Sequence, residues 1–317
     1  MDIASHMADI VSVDDNRYTN MEGDMKHTVL RIFSLFLVAV FAFGCSVSSE
    51  VAGIDDQTAS TDRAAGSTIK IASFNLKIFG PTKAANATAL AKIASVVASY
   101  DIIALQEVGS NGTPSDSTAT TVMNTLLAKV NSIAGSGAYS YVRGNQFAYV
   151  YKNSTIIKKA SGLYSGSFKY PPLQGHFQAS GKAFDFALVN VHTSPTIAKT
   201  EIPMIITAMS STRTKYSEQD VIALGDFNAD GSYYSPGASG GDLAGFSSST
   251  YTTVIKNGTD TTVSANNSYT YDRMQFYTAA TGQDFTGTKG VYKTGITDTI
   301  SDHYPIYATF YTGNDTN

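Results

Sequence analysis

The sequence predicts an α/β domain over residues 68–313, and three observations carry that prediction. Short runs with the two-residue alternation or the unbroken apolarity of strands recur along this stretch. Between several of them lie longer segments whose apolar residues recur every three or four positions, as one buried helix face requires. With 317 residues, 43% of them hydrophobic, the chain can close a substantial core and is not intrinsically disordered as a whole.

Residues 69–74 (IKIASF) alternate apolar and polar side chains and predict the first strand; the apolar run at residues 101–105 (DIIAL) predicts the second. Between them Leu90, Ile93, Val96, Val97 and Tyr100 form one stripe on a helix starting near Thr82. Further strands are predicted at residues 147–151, 184–191, 221–224 and 306–311. Helices are predicted at residues 121–133 and 200–216, with Pro203 in the first turn of the latter, where its missing N–H is tolerated. Gly-, Ser- and Thr-rich stretches at residues 109–117 and 232–250 read as loops, and no internal repeat is visible.

The first 67 residues read as addressing rather than fold. An almost unbroken apolar stretch at residues 32–43 follows Met25, Lys26, His27 and Arg31 and precedes Gly44, Cys45 and Ser46, the pattern of a secretory signal. A helix over that stretch spans about 18 Å, short of the roughly 30 Å bilayer core, so a permanent transmembrane anchor is the poorer reading. Ala42-Phe43-Gly44-Cys45 resembles a bacterial lipobox, with a small residue before the cysteine; the alternative is an ordinary cysteine near a signal-peptidase site. Residues 1–24 precede the natural-looking start at Met25 and read as an upstream extension, residues 25–45 as a lipoprotein-type signal peptide and residues 46–67 as a flexible tether. The expected location is extracytoplasmic, either anchored to a membrane or cell surface through a lipid on Cys45 or secreted.

Cys45 is the sole cysteine, which excludes an intramolecular disulfide and any zinc cluster built from several thiolates. A net charge of −4 and a pI near 5.7 exclude a globally basic nucleic-acid binder. They do not exclude an enzyme that meets phosphate through bound cations and a few local Lys and Arg side chains.

The chemistry collects where the predicted strands end. Asn75, Gln106-Glu107, His192, Asp226-Phe227-Asn228 and Ser301-Asp302-His303 each put an amide, carboxylate or imidazole at a strand terminus, with Asp272 in Tyr271-Asp272-Arg273. Taken singly, each has a bland explanation: a turn cap for Asn75, an Asx turn for Asp226 and Asn228, a solvated loop for Glu107, a satisfied core histidine for His192, a local ion pair for Asp272 with Arg273. Taken together, hard oxygen and amide donors with two histidines and no thiolate are the set expected for Mg²⁺- or Mn²⁺-assisted attack of water on a phosphodiester. A carboxylate such as Glu107 would hold the metal on a phosphate oxygen, one imidazole would take the proton from water, and the other would protonate the leaving oxygen or stabilise the charge on phosphorus.

The ordered segments IKIASFNLKIFG, YDIIALQEV, ALVNVHTSP, VIALGDFNADGSY, YDRM and ISDHYPIYATF resemble deoxyribonuclease I within the endonuclease/exonuclease/phosphatase superfamily, over residues 68–312. The resemblance implies a four-layer α/β sandwich, with two mixed sheets face to face, helices outside and a cleft at one sheet edge. It implies Asn75 and Glu107 at the catalytic metal, with Asp302 as a further ligand. His303 would be the general base oriented by Asp272, His192 the general acid or phosphate ligand, and Asp226 and Asn228 would position the nucleophile and the scissile phosphate. Asp260, Thr262 and Ser264 resemble a structural Ca²⁺ loop.

The chain also departs from the family's pattern. The position expected to orient His192 with a glutamate has Asn145 as its nearest equivalent, an amide that accepts the imidazole N–H but supplies no charge. Lys77 stands at one phosphate-gripping position, Gly109 at another and Tyr170 near a third, leaving Lys77, Arg143 and Asn145 as candidate phosphate contacts. Gly231 follows GDFNAD where a family cysteine could stand. The expected activity is a monomeric, metal-dependent endonuclease on DNA leaving 5′-phosphates. RNA or sphingomyelin is the alternative substrate, and a weakly active nucleic-acid-binding lipoprotein is the non-enzymatic alternative.

Overall fold

A computed structural model describes residues 66–109, 116–238, 240–313 and 315. The predicted upstream extension, the signal with Cys45 and the tether up to residue 65 lie outside the described residues, as do residues 110–115 of the predicted loop. The strands are β1 (Thr68–Phe79), β2 (Ile102–Val108), β3 (Tyr139–Gly144), β4 (Phe147–Lys152), β5 (Ile156–Leu163) and β6 (Leu173–Ala179). They continue with β7 (Asp185–His192), β8 (Val221–Asp226), β9 (Tyr251–Thr253), β10 (Asp272–Tyr277), β11 (Phe285–Val291) and β12 (Ile306–Tyr311). The helices are α1 (Pro81–Ala85), α2 (Ala87–Val97), α3 (Asp116–Ala134) and α4 (Ala198–Tyr216).

One sheet has the order β11-β12-β1-β2-β4-β3 and the other β5-β6-β7-β8-β10-β9. Each has one parallel pair, β1 with β2 and β7 with β8, among antiparallel neighbours, so both are mixed. Their facing sides bury Ile71, Ile102, Ala104 and Tyr149 of the first sheet with Phe177, Leu188, Ile222 and Met274 of the second. The alternate residues of the first sheet, such as Phe74 and Leu105, pack under α2 and α3, and those of the second, such as Val189 and Ala223, under α4. The result is the four-layer sandwich of two mixed sheets flanked by helices.

A polar patch interrupts the apolar seam beneath the strand ends. Gln106 Nε2 donates to Asn190 Oδ1 at 2.6 Å and to Ser73 Oγ at 3.0 Å. Asn190 Nδ2 donates back across the seam to the carbonyls of Leu105 and Ala148, at 3.0 and 3.2 Å. All three side chains are fully buried, and their pairing offsets the desolvation cost that unpaired amides would carry there.

Three helices differ from the expectation. The helix from Thr82 is two, broken at Asn86, whose side-chain Oδ1 accepts from Ala89 N at 3.0 Å and caps α2. Helix α3 begins at Asp116, inside the stretch read as loop. Helix α4 starts at Ala198 rather than Thr200, which moves Pro203 out of the first turn, to a position where its ring removes an intrahelical hydrogen bond. Among the described residues no helix is long and apolar enough to cross a membrane.

Candidate active site

The registers of the two sheets bring the predicted residues to one end. His192 lies opposite Asp226 across β7 and β8, and Asp226 lies opposite Asp272 across β8 and β10, so one row crosses three strands. In the first sheet Asn75 lies opposite Gln106, placing Glu107 one residue further along β2. Ser301 brings in the segment before β12: its Oγ donates to Asn75 O at 2.7 Å and accepts from His303 N at 3.1 Å. Backbone strain concentrates here, since Lys77, Ile78, Glu107, Asn145 and Asn228 all have φ between 45° and 58°. Such left-handed conformations are disfavoured for residues with a Cβ and persist only where surrounding structure imposes them.

Asn75 Nδ2 donates to Glu107 Oε1 at 2.9 Å and to Asp226 Oδ2 at 3.0 Å, tying the two sheets together. Glu107 Oε2 accepts from Ile78 N at 2.9 Å. His303 Nδ1 meets Asp272 Oδ2 at 2.8 Å, while its Nε2 faces Asp226 Oδ2 at 3.5 Å and Asp302 Oδ1 at 3.8 Å. His192 Nε2 lies 3.6 Å from Asp226 Oδ2 and 4.0 Å from Glu107 Oε1. Asp226 Oδ1 accepts from Asn228 N at 2.8 Å, and Asn228 Nδ2 donates to Thr193 O at 2.8 Å, fixing the turn after β8. Asn75, Glu107, His192, Asp226, Asn228, Asp272 and His303 therefore share one site.

Negative charge dominates it. Burial pulls the His303 imidazolium down, but the carboxylates of Asp272, Asp226 and Asp302 outweigh that pull and hold it up at about 10. Burial pushes the Asp272 carboxyl up from its ordinary value, against the pull of His303. Among the described residues no lysine or arginine pairs with Glu107 or Asp226, and Asp272 Oδ1 is buried without a hydrogen-bond partner. A surplus of buried or half-buried carboxylates with hard oxygen and amide donors fits a divalent cation of the Mg²⁺ or Mn²⁺ kind. Glu107 and Asn75 are placed to hold it, and Asp226, Asp272 and His303 also bring ligand atoms within 4.8 Å of one another. Asp302 stands at the margin, its carboxylate nearly half exposed.

The second histidine has a different partner from the one expected. Its Nδ1 meets Gln146 Oε1 at 3.1 Å, not Asn145. Asn145 and Gln146 form the two-residue turn between β3 and β4; the positive φ of Asn145 takes up the reversal, and Gln146 is the residue buried toward His192. The signal was one position away in the sequence, as the uncharged acceptor in second place of the turn-forming pair Asn145-Gln146. Tyr170 stacks on the other side of His192, with ring centroids 5.4 Å apart and planes at 23°.

Of the candidate phosphate contacts, Lys77 and Arg143 bond within the protein, and Asn145 Oδ1 is buried without a hydrogen-bond partner. Lys77 Nζ pairs with Asp298 Oδ1 at 2.5 Å, which holds its ammonium above the ordinary range. Arg143 Nη2 donates to Asn145 O at 3.0 Å and braces the turn. Lys83, which sequence reasoning missed, donates from Nζ to the carbonyls of Leu76 and Lys77 at 2.7 and 2.5 Å and of Ile300 at 3.0 Å, holding the distorted end of β1. In the loop of Asp260, Thr262 and Ser264 the side chains bond within the protein. Asp260 Oδ2 pairs with Lys293 Nζ at 2.5 Å, its Oδ1 accepts from Thr262, and Ser264 Oγ accepts from Asn266 N and Asn267 N.

A family model described as "Endonuclease/Exonuclease/phosphatase family" matches residues 72–303. Deoxyribonuclease-1 of Bos taurus is 28% identical over 77% of this chain and 93% of its own length. Deoxyribonuclease-1 of Oryctolagus cuniculus is 29% identical over 76% of this chain and 92% of its own. Among solved structures, an endonuclease/exonuclease/phosphatase family protein from Bacteroides thetaiotaomicron superposes with a TM-score of 0.53 at 16% identity, covering 77% of this chain and 94% of that one. With the matched stretch running from β1 to His303 through every strand-end residue described above, the chain belongs to the endonuclease/exonuclease/phosphatase family as a deoxyribonuclease I-like member.

Proposed function

We propose that the protein is a divalent-metal-dependent endonuclease that hydrolyses DNA phosphodiester bonds and leaves 5′-phosphates. The observation that carries this reading is the His303–Asp272 pair at 2.8 Å, facing Asp226 and backed by the Asn75–Glu107 contact at 2.9 Å. When bound, a divalent cation supplies charge neutralisation and polarisation of a phosphate oxygen. Asp272 fixes the His303 ring through Nδ1; with the charge of the neighbouring carboxylates offset by a bound cation, His303 would shed the proton they hold on it, leaving Nε2 to take one from water as its oxygen bonds to phosphorus. Asp226, held by Asn228 N, positions that water. The P–O3′ bond breaks on the opposite side, and His192, oriented at Nδ1 by Gln146, gives the departing 3′ oxygen its proton. The products are a 3′-hydroxyl and a 5′-phosphate.

The same reading places a lipid on Cys45 and the domain of residues 68–313 outside the cytoplasm, acting as a monomer. Hydrolysis of RNA or sphingomyelin is the second reading, favoured by the engagement of Lys77 with Asp298, which takes a cation from the grip on duplex DNA. Plasmid nicking with Mg²⁺, with and without EDTA, tests the reading, with ligase-competent 5′ ends as the readout of product. His303→Ala is expected to lower kcat by about 10²–10⁴-fold with the fold retained. Turnover by that variant at the wild-type rate removes His303 from its role, and faster hydrolysis of RNA or sphingomyelin than of DNA replaces the substrate.

A further inference from the structure

At the end of the second sheet opposite the active site, an imidazole and two carboxylates meet. His176 lies on β6, and Asp185 opens β7 on the same face, one diagonal step away. Glu218 follows α4: Ser217 takes a left-handed turn at φ 53°, its N–H and that of Glu218 cap the last carbonyls of the helix, and the Glu218 side chain is directed inward. His176 Nε2 lies 3.1 Å from Asp185 Oδ2 and 3.7 Å from Glu218 Oε2. One ligand atom from each residue falls within 4.8 Å of the other two. Tyr216 stacks on the His176 ring at 5.4 Å and 24°, fixing its plane.

The three side chains need a shared positive charge, a proton or a cation, to sit together. Glu218 is only 5% exposed; its Oε1 accepts from Asp220 N at 2.7 Å, and its Oε2 is turned toward His176 Nε2 and the Asp185 carboxylate. Burial, with Asp185 and Asp220 as like-charged neighbours, pushes its carboxyl up to about 8. Asp315 adds another carboxylate, its Oδ2 accepting from Asp185 N at 3.3 Å. One imidazolium neutralises at most one of these. Lys215 is no substitute, since its Nζ donates to Gln174 Oε1 at 2.8 Å, and no lysine or arginine pairs with Asp185 or Glu218 among the described residues.

We propose that His176, Asp185 and Glu218 bind a divalent transition-metal ion of the zinc class, at a site separate from the catalytic centre. Tetrahedral zinc with bonds of about 2.0–2.1 Å sets its ligand atoms about 3.3 Å apart, a value bracketed by the 3.1 and 3.7 Å separations here. An imidazole with two carboxylates selects zinc-like ions over Ca²⁺ and Mg²⁺. Seven residue steps along β7 separate Asp185 from His192, about 23 Å at roughly 3.3 Å per step, so the two sites do not share ligands. The bound ion joins β6, β7 and the exit of α4.

The test uses the full chain stripped by chelator and then held in excess Mg²⁺, titrated with Zn²⁺ by calorimetry while Tm is followed. Wild type and Glu107→Ala are both expected to take up one Zn²⁺ with a rise in Tm. His176→Ala and Glu218→Gln are expected to lose at least the roughly tenfold in affinity that disturbing a ligand's partner already costs, with unchanged far-UV circular dichroism. DNA cleavage by His176→Ala in Mg²⁺ is expected at the wild-type rate, which separates this site from the catalytic reading. No Zn²⁺ uptake by wild type overturns the proposal and leaves a plain ion cluster. Unaltered uptake by both folded variants, or its loss in Glu107→Ala instead, overturns it equally. If one variant fails to fold, the other and the wild-type stoichiometry decide.

Discussion

Gln146 is the residue that most distinguishes this site from the carboxylate arrangement its family led us to expect. It holds His192 through a neutral acceptor at 3.1 Å, so it fixes the ring without adding charge. Removing the amide in Gln146→Ala leaves the buried imidazole without its Nδ1 partner and free to turn off its approach to the leaving oxygen. Activity is expected to fall by about 10–100-fold in kcat with KM little changed. Gln146→Glu is expected to restore most of it, because a carboxylate of the same length reaches the same nitrogen. Steady-state kinetics on a nicked-plasmid assay checks both, and an Ala variant with wild-type kcat would show that His192 needs no such support. The residues that carry a charge at a strand end were legible in the sequence. The partner of His192 was not, because a one-residue shift in a hairpin turn exchanges an inward for an outward side chain.

At the scale of elements, the strand pair β7–β8 sets the geometry of the second sheet's catalytic row. Gly225, one residue before Asp226, has φ 143°, and a Cβ there would sit 1.9 Å from Val191 O on the neighbouring strand. Gly225→Ala must push β8 away from β7 and break the register that aligns His192 with Asp226. A loss of stability of about 3 kcal/mol or more is expected, measurable by urea denaturation, together with loss of cleavage. The same scale shows why only part of the fold was readable. The strands recognised from pattern, β1, β2, β4, β7, β8 and β12, lie in the interior of the two sheets, where continuous burial writes apolar runs. Those missed are the edges β3, β5, β9 and β11, and their neighbours β6 and β10. Strand β5 exposes Lys158 and Lys159, β11 carries Gly287 and Gly290, β9 spans three residues, and β10 opens on the charged pair Asp272-Arg273. Arg273 is fully buried yet satisfied, donating to the carbonyls of Thr270, Ile255 and Ala229 and to Asn257 Oδ1.

For the whole molecule, buried phenols set the alkaline limit. Burial pushes Tyr139 and Tyr277 up to about 12 from an ordinary value of 10.0, and raises Tyr100, Tyr149 and Tyr271 as well. In the folded chain these groups keep their protons where the unfolded chain has already lost them. Their contribution to stability is therefore fully present below pH 10 and is lost as pH rises from 10 toward about 12. Alkaline titration is expected to show tyrosinate absorbance lagging behind that of free tyrosine, followed by a cooperative jump that coincides with loss of circular dichroism. Smooth, non-cooperative ionisation of all 19 tyrosines would contradict it.

The Gln106–Asn190 clasp carries a consequence for how this molecule fails. Asn75 and Glu107 belong to one sheet, with His303 on the segment leading into its strand β12, whereas His192, Asp226 and Asp272 belong to the other, so the reacting groups exist as a set only while two slabs stay aligned. The clasp holds that alignment with two amides rather than by apolar contact alone, and amide contacts are lost at displacements that oily packing absorbs. A slippage too small to expose the interior suffices to silence the chemistry. The working range of the protein on warming thus ends before its architecture does.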